Sequence, residues 1–174
     1  MTLNQVLRNH AFTEGLSEPH IATLAALAAE VDFADGEVVL DTGGRSRYFY
    51  LLLSGSVTVE LHAPSFTVSV QALGPGQAFG WSALLDQQDT LFRVRAREPT
   101  TALRFAASDL ADAFRADTSL AAAILLRTLK LAATRVEATE ARFAEMCGIK
   151  IECASLPVYQ NPKMSRTKRS TLNQ

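Results

Sequence analysis

The stretch of this 174-residue chain most able to do chemistry is "PGQAFGWSALLDQQDTLFRVRARE", residues 75–98. Gly76 and then Phe79-Gly80 lead into a short apolar turn, and an arginine-rich strand follows. Backbone N–H groups at the start of such a turn can hold an anion, since they have no partners inside the turn and the aligned dipoles favour negative charge. Trp81 follows Gly80, and Thr90-Leu91-Phe92 lead into the strand. Trp81 reads either as a stacking platform for a planar ligand or as a plug filling the space. Ser82 and the N–H groups after Gly80 read either as anion donors or as a turn cap. Arg93, Arg95 and Arg97 alternate with Phe92, Val94 and Ala96. That spacing sets the arginines on a solvated face, unless a one-residue slip turns them inward.

Other chemistry is sparse. His10, His20 and His62 are scattered without His-x-His spacing, which argues against a cupin-type metal enzyme. No Ser/His/Asp or Cys/His grouping stands out, and no pair of carboxylates marks catalysis. Cys147 and Cys153 fit neither a zinc pattern nor a disulfide framework and read as reduced thiols. Neither an enzyme nor a metal site is expected.

The elements that must position the loop follow from periodicity. Leu3, Val6, Leu7 and Phe12 make a short amphipathic start that Gly15 breaks. Ser17 then caps an alanine-rich helix reaching about Val31, with Pro19 in its first turn. Beyond it, "FADGEVVLDTGG" reads as a strand between glycine turns. "YFYLLLSG" is continuously apolar and should be buried on both faces. "SVTVELH" places Val57, Val59 and Leu61 on one side, and "FTVSVQAL" places Phe66, Val68 and Val70; Ala63-Pro64-Ser65 joins the pair as a hairpin. "LFRVRAR" and "TTALRF" complete a series of short strands punctuated by glycines, which predicts a rolled antiparallel barrel or sandwich. Ser108 should cap a helix over "DLADAFRAD". A longer helix runs over 118–146, with Leu125, Leu129, Ala132, Val136, Thr139, Phe143 and Met146 spaced as a heptad seam. Mixed charges flank the seam, from Arg127 and Lys130 to Arg142 and Glu145. This pattern favours a partner helix over folding back onto the chain's own roll. Gly148 is a stop signal. The rest has no period and is expected to be a disordered tail.

Composition sets limits. Apolar residues are 48% and charged residues 20%, with a net charge of −1, as for one globular domain without a strong overall field. The last fifteen residues hold Lys163, Arg166, Lys168 and Arg169 and no acid; without them the balance is −5. The first twenty residues lack a long apolar run, so no secretory signal is expected. "SLAAAILLRTLKLAA" is broken by Arg127 and Lys130 and is too short to span a bilayer. A cytoplasmic location without membrane contact is expected.

This order of elements resembles the cyclic-nucleotide-binding domain family, which includes the bacterial catabolite activator and the regulatory subunits of protein kinase A. The resemblance rests on Gly36-Glu37, the turn Gly43-Gly44, "YFYLLLSGSVTV", "LGPGQAFGWSALL" and "VRA", and covers roughly residues 12–146. It implies a mainly β fold, an antiparallel β-roll of jelly-roll-like, double-stranded β-helix type. N-terminal helices would occupy 1–30, the roll 31–107, C-terminal helices 108–147 and the tail 148–174.

In that family the segment beginning Phe-Gly-Glu is a phosphate-binding cassette. Its Glu accepts from the ribose hydroxyl and a later Arg pairs with the phosphate. Carried over, the cassette is Phe79, Gly80, Trp81, Ser82, Ala83, Thr90, Leu91 and Phe92. Trp81 stands at the Glu position and Thr90 at the Arg position. The resemblance therefore implies a sensor or docking module that does not bind cAMP or cGMP in the usual way and carries no cofactor. The alternatives are a true cyclic-nucleotide receptor using Arg93 or Arg95 as substitute phosphate contacts, and a cupin-type enzyme. The family also uses the long helix as a dimer interface, here through Leu125, Leu129, Ala132, Val136 and Phe143. About 28 residues follow Met146, too few for the helix-turn-helix domain of the catabolite-activator group. Output through a homodimer, a protein partner or a small ligand is expected, and sequence-specific DNA binding is not.

Overall fold

The computed structural model describes residues 1–85, 89–90 and 92–148. Leu91 and the tail expected to be disordered, apart from Gly148, lie outside them. The N-terminal segment forms α1 (Leu3–Asn9), a 3-10 turn (Ala11–Thr13) and α2 (Glu18–Leu27). Thr2 caps α1 in a reciprocal box with Gln5. Ser17 caps α2, with Pro19 in its first turn. Eight strands follow: β1 (Ala29–Phe33), β2 (Val38–Leu40), β3 (Tyr48–Ser54), β4 (Val57–Ala63), β5 (Phe66–Leu73), β6 (Ala78–Phe79), β7 (Phe92–Ala96) and β8 (Thr100–Ala106). Two helices close the described chain, α3 (Ala107–Ala116) and α4 (Thr118–Met146).

The strands pair antiparallel in two four-stranded sheets, ordered β1-β8-β3-β6 and β2-β7-β4-β5. This is the expected antiparallel roll with flanking helices. The apolar run of β3 is buried on both faces because it separates two cores. Phe49 and Leu51 pack with Leu7, Ile21, Leu110 and Ile124 on the helix side. Tyr50 and Leu52 pack with Val57, Val59, Phe79 and Val94 inside the roll. Burying one such side chain contributes roughly 1.5–3 kcal/mol.

Two local expectations are corrected, and one alternation is kept. The second helix stops at Leu27, and Ala29 and Glu30 are strand residues paired with Arg104 and Leu103. Sheet pairing overrides the helix propensity of alanine there. Ser108 does not cap α3: Ala106 holds that position without a side-chain bond, and Ser108 Oγ turns to Asp109. β8 passes directly into α3 and leaves no linker for a cap. Leu61 keeps the side of β4 that Val57 and Val59 occupy, in unbroken pairing with β7, and is exposed toward the end of the strand.

Candidate functional site

Phe79 ends β6 opposite Tyr50 of β3, and the two rings stack at 4.6 Å with planes 8° apart. Burial pushes the Tyr50 phenol up to about 12. The chain then crosses β3 at Gly80, whose φ is +77° and where an added Cβ would lie 2.6 Å from the Tyr48 carbonyl oxygen. Only glycine fits both demands. The turn Trp81–Leu84 follows as one short 3-10 helix, with the Ala83 N–H donating to the Gly80 carbonyl. On the far side, Thr90 is pinned by backbone bonds to the Gly43-Gly44 turn, at 2.8 Å from Gly43 N and 3.0 Å to Gly44 O.

Between these segments lies a cavity of about 140 Å³. Its walls are apolar: Leu40, Val59, Phe79, Phe92 and Val94, with Gly80, Trp81, Ser82, Asp89, Thr90 and Arg135 completing the lining. Trp81 is half-buried, lining the cavity and packing on the helix-side core. The Thr90 hydroxyl donates to the Phe92 carbonyl at 2.9 Å and accepts from the Phe92 N–H at 3.2 Å, so it is engaged by the start of β7. Ala83 faces the neighbouring groove along α3 and does not line the cavity.

β7 alternates as its sequence suggests. Phe92 and Val94 reach the cavity. Arg93 and Arg95 do not line it. Arg93 Nε donates to Asp41 Oδ1 at 2.8 Å, and that bond holds the Asp41 carboxyl below its usual range. Arg95 donates to the Gly36 carbonyl at 3.0 Å and lies 3.6 Å from Glu60. The cation at the cavity is Arg135 of α4, which the sequence reading did not single out. It donates through Nε to Gln71 Oε1 of β5 at 2.8 Å, and burial pushes its pKa below the ordinary arginine value. Among the described lining residues, Arg135 carries the one positive charge and Asp89, exposed, the one negative.

Of the seam residues, Leu125, Leu129, Val136 and Phe143 are exposed, while Ala132 is half-buried. The adjacent stripe of α4, with Leu120, Ile124 and Thr128 buried, packs against the rest of the chain. No His, Cys, Asp or Glu cluster among the described residues is placed to hold a metal ion. No described helix is long and apolar enough to cross a membrane.

The fold is shared with solved structures at low sequence identity. A cyclic nucleotide-binding domain from Methylobacillus flagellatus is 18% identical with a TM-score of 0.70, over 83% of this chain and 82% of that one. The N-terminal domain of a transcriptional regulator from Streptomyces coelicolor is 22% identical with a TM-score of 0.62, over 74% of this chain and 93% of that one. The regulatory subunit of a cAMP-independent protein kinase A from Trypanosoma cruzi, bound to guanosine, is 20% identical with a TM-score of 0.64. It is matched over 83% of this chain, which spans 48% of that one. No curated protein matches the sequence. The cyclic nucleotide-binding domain family model matches residues 30–117. With the roll, the glycine crossing after β6, the short turn and the long final helix in family order, the chain belongs to the cyclic nucleotide-binding domain family.

Proposed function

We propose that the chain is a regulatory ligand-sensing or docking module that does not bind cAMP or cGMP as its family does. The observation that carries this reading is the lining of the cassette cavity. Trp81 stands where the family resemblance puts the ribose-binding Glu. Thr90 stands where it puts the phosphate-binding Arg, with its hydroxyl already engaged by Phe92. The cavity of about 140 Å³ is also below the ~300 Å³ at which ordinary ligand pockets begin. The trypanosomal regulatory subunit, described as cAMP-independent and bound to guanosine, supports the idea that this fold can serve regulation without cAMP. The reading that Arg93 or Arg95 replaces the missing phosphate contact has less support, since both are engaged by Asp41, Gly36 and Glu60 away from the cavity. Output would pass through α4, as a homodimer or to a protein partner, which suits a regulatory subunit or adaptor better than an enzyme.

The test is calorimetric titration with both nucleotides on the wild type and on the Trp81→Glu, Thr90→Arg double variant. Each charged contact is worth roughly 1.5–3 kcal/mol. Their joint absence should therefore weaken binding by about two to four orders of magnitude. The wild type should show no micromolar binding, and binding gained by the double variant would mark a surviving backbone cradle. Micromolar binding by the wild type would overturn the reading.

A further inference from the structure

We propose that the cavity beside Trp81 takes a small organic carboxylate with an apolar body, and that Arg135 of α4 is the residue that pairs with its anionic end. The proposal rests on the reading that this site does not serve a cyclic nucleotide, and it names the ligand class.

Three observations converge on it. The first is charge. Arg135 lines the cavity and is removed enough from water for burial to lower its pKa. Its hydrogen-bonding partner among the described residues is neutral, the Gln71 side-chain oxygen. A partly desolvated guanidinium without a carboxylate beside it carries a cost, and an anion in the adjoining space relieves that cost. The second is shape. Nε is engaged by Gln71, which leaves the edge formed by the two Nη groups, the edge that matches two carboxylate oxygens in a paired geometry. The third is the remaining wall. Leu40, Val59, Phe79, Phe92 and Val94 present carbon, and the space is about 140 Å³. An engineered cavity of ~150 Å³ holds one benzene. A six-membered ring or short branched chain fills such a space, whereas a purine, ribose and cyclic phosphate together do not.

The same features disfavour inorganic phosphate. A multiply charged anion among five apolar side chains loses hydration that one guanidinium cannot replace. Asp89, exposed at the lining, adds repulsion that grows with ligand charge. A ligand here would contact β2, β4, β7 and α4 at once, so its binding would tie α4 to the roll.

The chain carries its own reporter, since Trp81 is its one tryptophan. The experiment titrates the full chain with benzoate and isovalerate, following Trp81 emission and heat. Benzamide serves as the neutral analogue and inorganic phosphate as the anion without an apolar body. At least one of the two carboxylates should bind saturably. Where it is benzoate, benzamide should bind about tenfold more weakly or worse, and phosphate should leave Trp81 emission unchanged. Arg135→Gln should weaken carboxylate binding by about tenfold or more, and Arg135→Lys by less, since charge without the planar fork recovers part of the pairing. Equal affinity for benzoate and benzamide would overturn the proposal. So would carboxylate binding untouched by Arg135→Gln, or no saturable binding of either carboxylate. If Arg135→Gln fails to fold, the wild-type comparison of benzoate with benzamide and the Arg135→Lys variant decide the question. Silence toward both carboxylates and cyclic nucleotides overturns this assignment and leaves the regulatory reading intact. Micromolar cAMP binding overturns that reading instead.

Discussion

Arg135 Nε donates to Gln71 Oε1 across 2.8 Å, and this bond fastens the middle of α4 to β5. Both side chains are half-buried, so the bond is neither fully screened by water nor fully desolvated. Hydrogen bonds to charged groups contribute roughly 1.5–3 kcal/mol, with partial exposure pulling toward the low end. Urea unfolding of Arg135→Ala, Gln71→Ala and the double variant should give a coupling of about 1 kcal/mol. A coupling of zero would mean that α4 is held to the roll by its apolar stripe alone.

That bond also marks where sequence reasoning stops. Read linearly, Arg135 is one of several charges beside the heptad seam. It becomes distinctive only once Ile124, Thr128 and Leu131 are known to face the chain's own core, because 128, 131 and 135 then form one stripe at helical spacing. A charged residue on a buried stripe is a signal, but the seam drew attention to the adjacent face. The roll was more legible. Phe92 and Val94 differ so sharply from Arg93 and Arg95 that alternation alone separates the faces of β7. The continuous apolar run of β3 announces its two cores. Less readable were points where tertiary pairing overrides local preference, such as Ala29 and Glu30 drawn into β1. The bulge at Val70 of β5 was equally hidden, since one extra residue breaks that strand's period of two against β4.

Gly80→Ala and Gly36→Ala should separate backbone strain from collision. Both glycines have positive φ, +77° and +79°. That conformation costs a non-glycine residue roughly 1–2 kcal/mol. At Gly36 an added Cβ meets nothing within 4 Å, whereas at Gly80 it lies 2.6 Å from the Tyr48 carbonyl oxygen. Urea midpoints should therefore drop for both, with Gly80→Ala losing at least ~1 kcal/mol more, as expected for a steric clash against backbone. Equal losses would show that the turn before Trp81 yields without cost.

His10 should make stability depend on pH in the mildly acid range. Its ring is buried: Nδ1 accepts from the Phe12 N–H at 3.2 Å, and Nε2, which then carries the proton, donates to the Leu52 carbonyl at 3.0 Å. Burial lowers its pKa below the ordinary 6.5. The unfolded chain takes up its proton first, so stability is highest above 6.5 and declines as pH falls from there toward the lowered folded value. Asp41 and Asp117 act elsewhere: their pKa values sit below the ordinary 3.8, so their contribution is lost only in more acid solution. Unfolding free energies measured from neutral to mildly acid pH should show this slope, and His10→Asn should flatten it. An unchanged slope in that variant would assign the dependence to another group.

The exposed stripe of α4 should bring two copies of the chain together. Leu129, Val136, Phe143 and Met146 are 65%, 55%, 66% and 62% exposed, far more than a helix with its other stripe already packed needs to leave in water. They recur at heptad spacing over three repeats, the pattern that lets two helices interlock. Burying Val136 or Phe143 against a partner should stabilise by roughly 1.5–3 kcal/mol per side chain. Ala132 and Thr139 weaken the middle of the seam; the Thr139 hydroxyl is turned back onto the Arg135 carbonyl at 2.8 Å. Sedimentation should find the wild type dimeric and Val136→Glu and Phe143→Glu shifted toward monomer. Neither substitution should lower the thermal midpoint of the monomer, since both sites are solvent-facing within one chain. Dimers that survive both substitutions would assign self-association to another surface, and a monomeric wild type would leave the stripe to a different protein.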